Sequence, residues 1–236
     1  MITERMNTIL DIGNKVLFII NISGFEIWIT ESLVSTWIIM GVLIVFAVIA
    51  RILLRRFREI PAGVQNAVES LVEIVDKFVT NVAGDKLIKL SPWFFMIILF
   101  VFTSNISGIV GLRPPTSEWS TTIALSLCTF LLIHITAIKY RKKDYLKSFL
   151  QPFFLFLPLN IISELAKPIS LSFRLFGNML SGLILMTIVY TLPVYLRFVI
   201  PVPLHVYFDV AIGALQTYIF CMLSLSFIRS AASAGE

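Results

Sequence analysis

Lys167, Ser170, Arg174, Asn178 and Ser181 recur at three- and four-residue intervals inside an otherwise apolar stretch. Helical geometry places such residues on one face, and Glu164 stands one turn ahead of Lys167 on the same side. Further on, His205, Asp209, Gly213 and Gln216 repeat the spacing. From Ser148 to Ile228 formal charge is confined to Glu164, Lys167, Arg174, Arg197 and Asp209. Two long apolar helices thus each carry one polar stripe. An Arg or Asp at the centre of a membrane helix costs about +2.5 to +3.5 kcal/mol on insertion scales, so such residues point to function. Lys167 and Arg197 lie near predicted helix ends, where a long side chain reaches the interface. Arg174 does not, because Leu175 to Leu192 is mostly apolar. Two readings follow: Arg174 marks an ion or substrate pathway, or it pairs with Glu164 or Asp209 to hold the two helices together.

The other polar residues divide in the same way. Asp209 can relay a proton or draw in a cation, and it can also serve as a structural partner. Glu164 is near the inner end of its arm, where a conducting role competes with a solvated or structural one. Asn178 and Gln216 can merely bond helix to helix, worth around 0.6 kcal/mol on average, or serve the ion path. His134 reads as interhelical packing and His205 as an interfacial residue at the outer mouth. Cys128 and Cys221 both fall in apolar runs. A metal site or disulfide framework needs more ligands at closer spacing, so neither a metal nor a cofactor is expected.

The elements that must position these residues follow from composition. Of 236 residues, 58% are hydrophobic and 14% charged, against roughly 25% charged in a soluble domain. The apolar residues gather in runs long enough to cross a bilayer, which takes about 20 residues as helix. The chain is therefore an all-α polytopic membrane protein forming one membrane domain, 1–236, with about five embedded helices. The net charge of +5 does not imply a nucleic-acid partner, because the basic residues cluster beside the spans as orientation signals facing anionic lipid.

An N-terminal segment, 1–32, carries Glu4, Asp11, Glu26 and Glu31 against Arg5 and Lys15, and is expected outside. The first span (33–58) ends in Arg51, Arg55, Arg56 and Arg58. Pro61 opens an amphipathic helix (61–84), with Val64, Val68, Leu71, Val75, Phe78 and Val82 at helical spacing and charges between them, lying on the inner surface. The second and third spans (91–139) are joined by a short turn around Arg113, Pro114 and Pro115. The third ends at Lys139, Arg141, Lys142, Lys143 and Lys147. The last part (152–229) is a helical hairpin broken at Pro193, Pro201 and Pro203. Its first arm, Leu159 to Leu192, is roughly 50 Å long at 1.5 Å per residue, against a hydrocarbon core about 30 Å thick. Strong tilt, or a kink at Pro168, is expected. Arg229 closes the second arm on the inner side. The first apolar stretch, Val16 to Ile22, is too short for a signal peptide and lacks its cleavage pattern.

The run Glu164-Leu-Ala-Lys-Pro168-Ile-Ser170-Leu-Ser-Phe-Arg174-Leu-Phe-Gly177-Asn178-Met closely resembles the signature of the subunit a family of F-type ATP synthases. Leu215-Gln216-Thr-Tyr-Ile-Phe220 resembles the family's second signature. Ser104-Asn105-Ile-Ser-Gly108-Ile-Val-Gly111-Leu resembles its pattern at the outer end of the second span. The resemblance implies an ion-translocating stator of the Fo sector, packed against a rotating c-ring and held by peripheral stalk b subunits in membrane lipid. Catalysis would then belong to other subunits, and the setting would be a bacterial inner membrane with the N-terminus outside and the C-terminus cytoplasmic. Arg174 takes the place of the family's essential arginine, between two aqueous half-channels. Ser170 and Asn178 match positions of the inner half-channel; Asn105, Asp209 and Gln216 match positions of the outer one. For Asn178 and Gln216 these matches favour the ion path over packing alone. One departure stands out. Many members carry an ionisable residue where this chain has Leu183, so Asp209 is left as the main outer relay and the coupling ion, H⁺ or Na⁺, stays open. A secondary transporter with a midplane site at Arg174 and Asp209, and a non-conducting assembly scaffold, are the competing readings. The small span count and the lack of repeated halves weigh against the transporter.

Overall fold

The computed structural model describes residues 16–22, 25–53, 63–142, 145 and 153–233. Arg55, Arg56, Arg58, Pro61, Lys143, Lys147 and the charged residues of 1–15 lie outside them, so the loop charges that set the expected orientation are only partly described.

Two short strands, β1 (Val16–Ile22) and β2 (Phe25–Thr30), pair antiparallel with Ile19 opposite Trp28 and Asn21 opposite Glu26. The sequence reading gave this stretch no secondary structure. Its β-branched and aromatic residues favour strands. Helix α1 (Glu31–Leu53) follows, with an acid in its first turn and Arg51 in its last, both favourable to the helix dipole. It is apolar on all sides, and only Ser32, Ser35 and Ile39 are buried. Helix α2 (Val64–Ala83) is the amphipathic element. Gly84, at φ 88°, ends it and donates its N–H to the Thr80 carbonyl at 2.8 Å, a backbone conformation that glycine adopts without strain.

A 3₁₀ turn, Asp85–Leu90, leads into α3 (Ser91–Ile106), and Pro92 in its first turn fits where no backbone N–H is needed. After the turn through Gly111 and Pro114 comes α4 (Trp119–Arg141). Helix α5 (Leu157–Val189) is a single helix of 33 residues that contains Pro168. Pro193 then ends the arm, and short helices α6 (Val194–Val199) and α7 (Pro201–His205) turn the chain back. Helix α7 runs through a π-helical segment, Val206–Ile212, into α8 (Gly213–Ser233). Five helical stretches among the described residues are long and apolar enough to cross a membrane: Glu31–Leu53, Asp85–Val110, Trp119–Arg141, Leu157–Val189 and Tyr195–Ser233.

The core joins α2, α3, α4, α5 and α8 through Val75, Val79, Phe94, Val101, Ile133, Leu175, Phe220 and Leu225. Helices α5 and α8 both lie against α4. Between helices the buried positions include many small polar residues, among them Ser104, Thr122, Ser126, Thr129, Ser172 and Ser224. In lipid, where apolar surface gains nothing by leaving the solvent, close packing of small residues and interhelical hydrogen bonds hold helices together. Thr122 and Ser172 share such a bond at 3.1 Å.

Contacts identify the two ends of the bundle. Arg229 donates to the Val82 carbonyl at 2.9 Å and the Tyr140 hydroxyl to the Lys86 carbonyl at 2.9 Å, so Lys86, Arg141 and Arg229 gather at one end, where α2 finishes. Glu31, Arg113, Tyr190 and His205 line a single cavity at the other.

Candidate functional site

Arg174 sits about halfway along α5, on the side its own chain leaves uncovered. Leu171, Ser172, Leu175, Met179, Gly182 and Met186 form the buried side of this helix, while Ser170, Phe173, Arg174, Asn178 and Ser181 are exposed. The 100° step of the helix separates these sets. Neither partner considered for Arg174 is free. Glu164 Oε1 accepts from Lys167 Nζ at 2.5 Å, and Asp209 Oδ2 lies 2.6 Å from His205 Nδ1. Among the described residues, Arg174 itself has no hydrogen-bond or ion-pair partner.

The second stripe lies across from the first. Asn178 Nδ2 donates to Gln216 Oε1 at 2.7 Å, tying α5 to α8. Gln216 is buried, and its Nε2 has no partner among the described residues. Asn105 is also fully buried: its Nδ2 donates to the Gly213 carbonyl at 3.0 Å and its Oδ1 accepts from the Thr116 hydroxyl at 2.8 Å. A Cβ on Gly213 would meet Asn105 Cβ at 2.9 Å, so glycine is what lets the two helices meet there.

Asp209 is buried inside the π-helical segment. Positions four apart in an α-helix drift by about 40° per step, and the wider π turn reduces that drift. Gly108 packs on the Asp209 carboxylate so closely that a Cβ there would stand 2.8 Å from Oδ2. Asp209 and Gly108 both face a cavity of about 290 Å³, which Asn178, Leu183, Tyr190 and His205 also line. Tyr190 reaches His205 Nε2 at 2.9 Å.

The structure therefore gathers Asn178, Asp209, Gln216 and Asn105 around the interface of α5 and α8. Arg174 and Ser170 stand on the open side of α5, and Glu164 is held near the basic end by Lys167. Asn178, placed by the resemblance with the inner path, lines the same cavity as Asp209. Tyr190 and Thr116 were missed by sequence reading. Their partners lie on other elements, at separations that carry no periodic signal.

A model of the ATP synthase A chain family matches residues 33–229. The chain is similar to ATP synthase subunit a 2 of Bradyrhizobium sp., 35% identical over 205 residues, which cover 86% of this chain and 89% of that protein. It is 32% identical to ATP synthase subunit a of Moorella thermoacetica, over 86% of this chain and 90% of the relative. The chloroplastic subunit a of Oedogonium cardiacum is 32% identical over 84% of this chain and 81% of its own length.

Proposed function

This chain belongs to the ATP synthase A chain family, and on that premise we propose that it is the ion-translocating stator of the Fo sector, with Arg174 separating two half-channels to a rotating c-ring. The observation that carries the reading is the unpartnered arginine halfway along a membrane-length helix, on a face its own chain leaves open. A charge at that depth needs a compensating group. The two own-chain carboxylates considered for the role, Glu164 and Asp209, are engaged by Lys167 and His205. A carboxylate on a neighbouring rotor supplies what is missing.

The chemistry requires arginine because its guanidinium stays protonated when buried, where lysine can lose its proton. A fixed positive charge repels a passing cation and so blocks leakage between the half-channels. It also lowers the pKa of an adjacent carboxylate by about 1–3 units. A rotor site arriving at Arg174 gives up its ion, passes as a carboxylate, and reloads beyond. The attraction must remain breakable: a pair 4 Å apart at an effective dielectric constant near 20 is worth roughly 4 kcal/mol. The membrane potential supplies energy of similar size, about 2.3 kcal/mol per charge per 100 mV.

In this reading the cavity beside Asp209 is the outer half-channel. Asn178 lines it and donates to Gln216, whose unsatisfied Nε2 suits a bound water. The basic end faces the cytoplasm, which puts the N-terminus outside in a bacterial plasma membrane. Peripheral stalk b subunits and lipid cover the remaining apolar surface, including α1. The chain performs no covalent chemistry itself.

The test is Arg174→Ala in the complete complex reconstituted in vesicles. ATP-driven ion pumping is expected to vanish while the complex still assembles. Pumping at the normal rate would return the chain to the role of a scaffold.

A further inference from the structure

Three side chains form a continuous hydrogen-bonded line from the surface into the membrane interior. The Tyr190 hydroxyl, exposed at the end of α5, lies 2.9 Å from His205 Nε2. The half-buried ring of His205 then places Nδ1 2.6 Å from Oδ2 of the buried Asp209. The geometry points to His205 as a proton-relay residue, with Tyr190 positioning its ring, through which Asp209 exchanges protons with the water outside. This rests on the reading of Asp209 as the outer carboxylate of the ion path.

A carboxylate accepting from Nδ1–H leaves Nε2 with a lone pair, which accepts from the Tyr190 hydroxyl; one tautomer satisfies both bonds. A proton arriving from water forms a bond to Nε2 while the Nδ1–H bond breaks and its proton joins Oδ2. The ring ends neutral in its other tautomer and Asp209 ends as a neutral acid. No isolated charge is left in a medium where it would be costly. Asp209 then passes the proton to a rotor carboxylate and becomes a carboxylate again. The ring resets when its Nε2–H proton passes to water and water in the same cavity delivers one to Nδ1, so that the ring ends with the proton count it began with.

Two features separate a relay from a brace. Burial deepens stepwise from Tyr190 to His205 to Asp209, and all three line the same cavity. The other charged or titratable groups lining it are Glu31, in the first turn of α1, and Arg113, on the turn between α3 and α4, while Leu183 offers no proton-carrying group. Gly108 packs closely on the Asp209 carboxylate, and the polar contact that Oδ2 makes is the one with His205 Nδ1. Such a line carries protons and has no means of passing a sodium ion.

The test uses the whole complex in vesicles, with proton pumping measured. His205→Gln keeps a hydrogen-bond donor but cannot accept a proton at one nitrogen while releasing one from another. It is expected to slow pumping at least about tenfold, within the range of positioned acid–base groups. In His205→Ala, added imidazole is expected to restore part of the rate, which a purely structural role does not allow. Tyr190→Phe, at an exposed position that cannot govern folding, is expected to slow pumping severalfold. Wild-type rates in His205→Gln and Tyr190→Phe, together with a blocked Asp209→Asn, overturn the relay alone. A normal Asp209→Asn overturns the outer-path reading beneath it. Undiminished pumping of Na⁺ in place of H⁺ by His205→Gln overturns the relay as well.

Discussion

Each end of the bundle holds a hydrogen-bonded histidine–tyrosine pair near a carboxylate, and the two differ in what neutralises that carboxylate. At the basic end His134 Nδ1 meets the Tyr145 hydroxyl at 2.5 Å, with Glu164 close enough to act on both electrostatically, and Glu164 is joined to Lys167. At the other end His205 joins Tyr190 to Asp209, and among the described residues no lysine or arginine pairs with Asp209. A carboxylate matched by lysine is already neutralised and gains little from a proton. One matched only by an imidazole changes protonation together with its partner. The buried tyrosine is at the braced end and the exposed one at the end with a cavity open to Asp209. Similar side chains thus make a brace in one place and a path in the other.

The largest difference should appear when each carboxylate is made neutral. Asp209→Asn is expected to reduce ATP-driven pumping by about a hundredfold or more, in the range seen on removing positioned acid–base groups. Glu164→Gln is expected to change pumping by no more than about threefold, since the remaining amide can still bond Lys167. Vesicle assays on both variants check this. Equal losses would erase the distinction and return Glu164 to the conducting path.

A smaller effect follows from packing. In Gly108→Ala the new methyl group would stand 2.8 Å from Asp209 Oδ2, so the carboxylate must move off the line to His205. Overpacking of this kind costs about 1–3 kcal/mol. Pumping is expected to fall about tenfold, the sensitivity of proton transfer to geometry, with assembly preserved. Gly41→Ala, where nothing lies within 4 Å of the added atom, is expected to leave the rate unchanged.

The spans and the polar stripe on α5 were legible because both rest on local regularities: apolar length, and a three-to-four repeat that survives in a single 33-residue helix. The second stripe was legible for the same reason. Its steps of four, four and three share one helical face, although the helix passes through a π turn at Val206–Ile212, which nothing in the residue types announces. The hairpin of β1 and β2 was not read, because Val16–Ile22 is uniformly apolar at its start rather than alternating, and periodicity cannot assign so short a run. The partners that distinguish path from brace were not readable either. Tyr190 is 15 residues from His205 and Tyr145 is 11 from His134, distances closed only by the fold. The lysine beside Glu164 was visible, but whether it paired inward or reached for lipid depended on the packing of α5.

Making the braced end resemble the other is a further way to probe the contrast. Lys167→Met removes the cation, which also lies 5.5 Å from the Phe227 ring, and leaves Glu164 partly buried without its partner; Glu164 Oε2 already lacks one. The expected loss is about 2 kcal/mol, below the 3–5 kcal/mol for a fully buried pair because both groups keep some exposure. Adding Glu164→Gln should recover most of it, since the uncompensated charge is then gone. Thermal unfolding of the two single variants and the double variant measures the coupling. Additive losses would mean that the pair is a solvated contact with no bracing role.

The smallest effect is a pH dependence confined to the braced end. Burial, with the Glu164 charge as a second cause and Arg141 opposing, pushes the Tyr145 phenol up to about 12, against an ordinary value near 10. Between these values the folded chain holds a proton that the unfolded chain has lost. Stability is then flat below about pH 10 and falls as pH rises toward 12, by an amount of order 1–2 kcal/mol. Tyr145→Phe should lose about 1 kcal/mol at neutral pH with the bond to His134, and should lack the alkaline decline. The difference between wild-type and variant unfolding curves isolates this step from the titration of other groups. Glu164→Gln removes one cause of the shift, so it should move the onset of tyrosinate absorbance to lower pH. Because Tyr145 keeps its proton throughout the working range, pumping should be insensitive to Tyr145→Phe, where Tyr190→Phe is not. A pumping defect of equal size at both tyrosines would mean that the two ends conduct alike, and the charge on Lys167 would no longer explain why one of them does not.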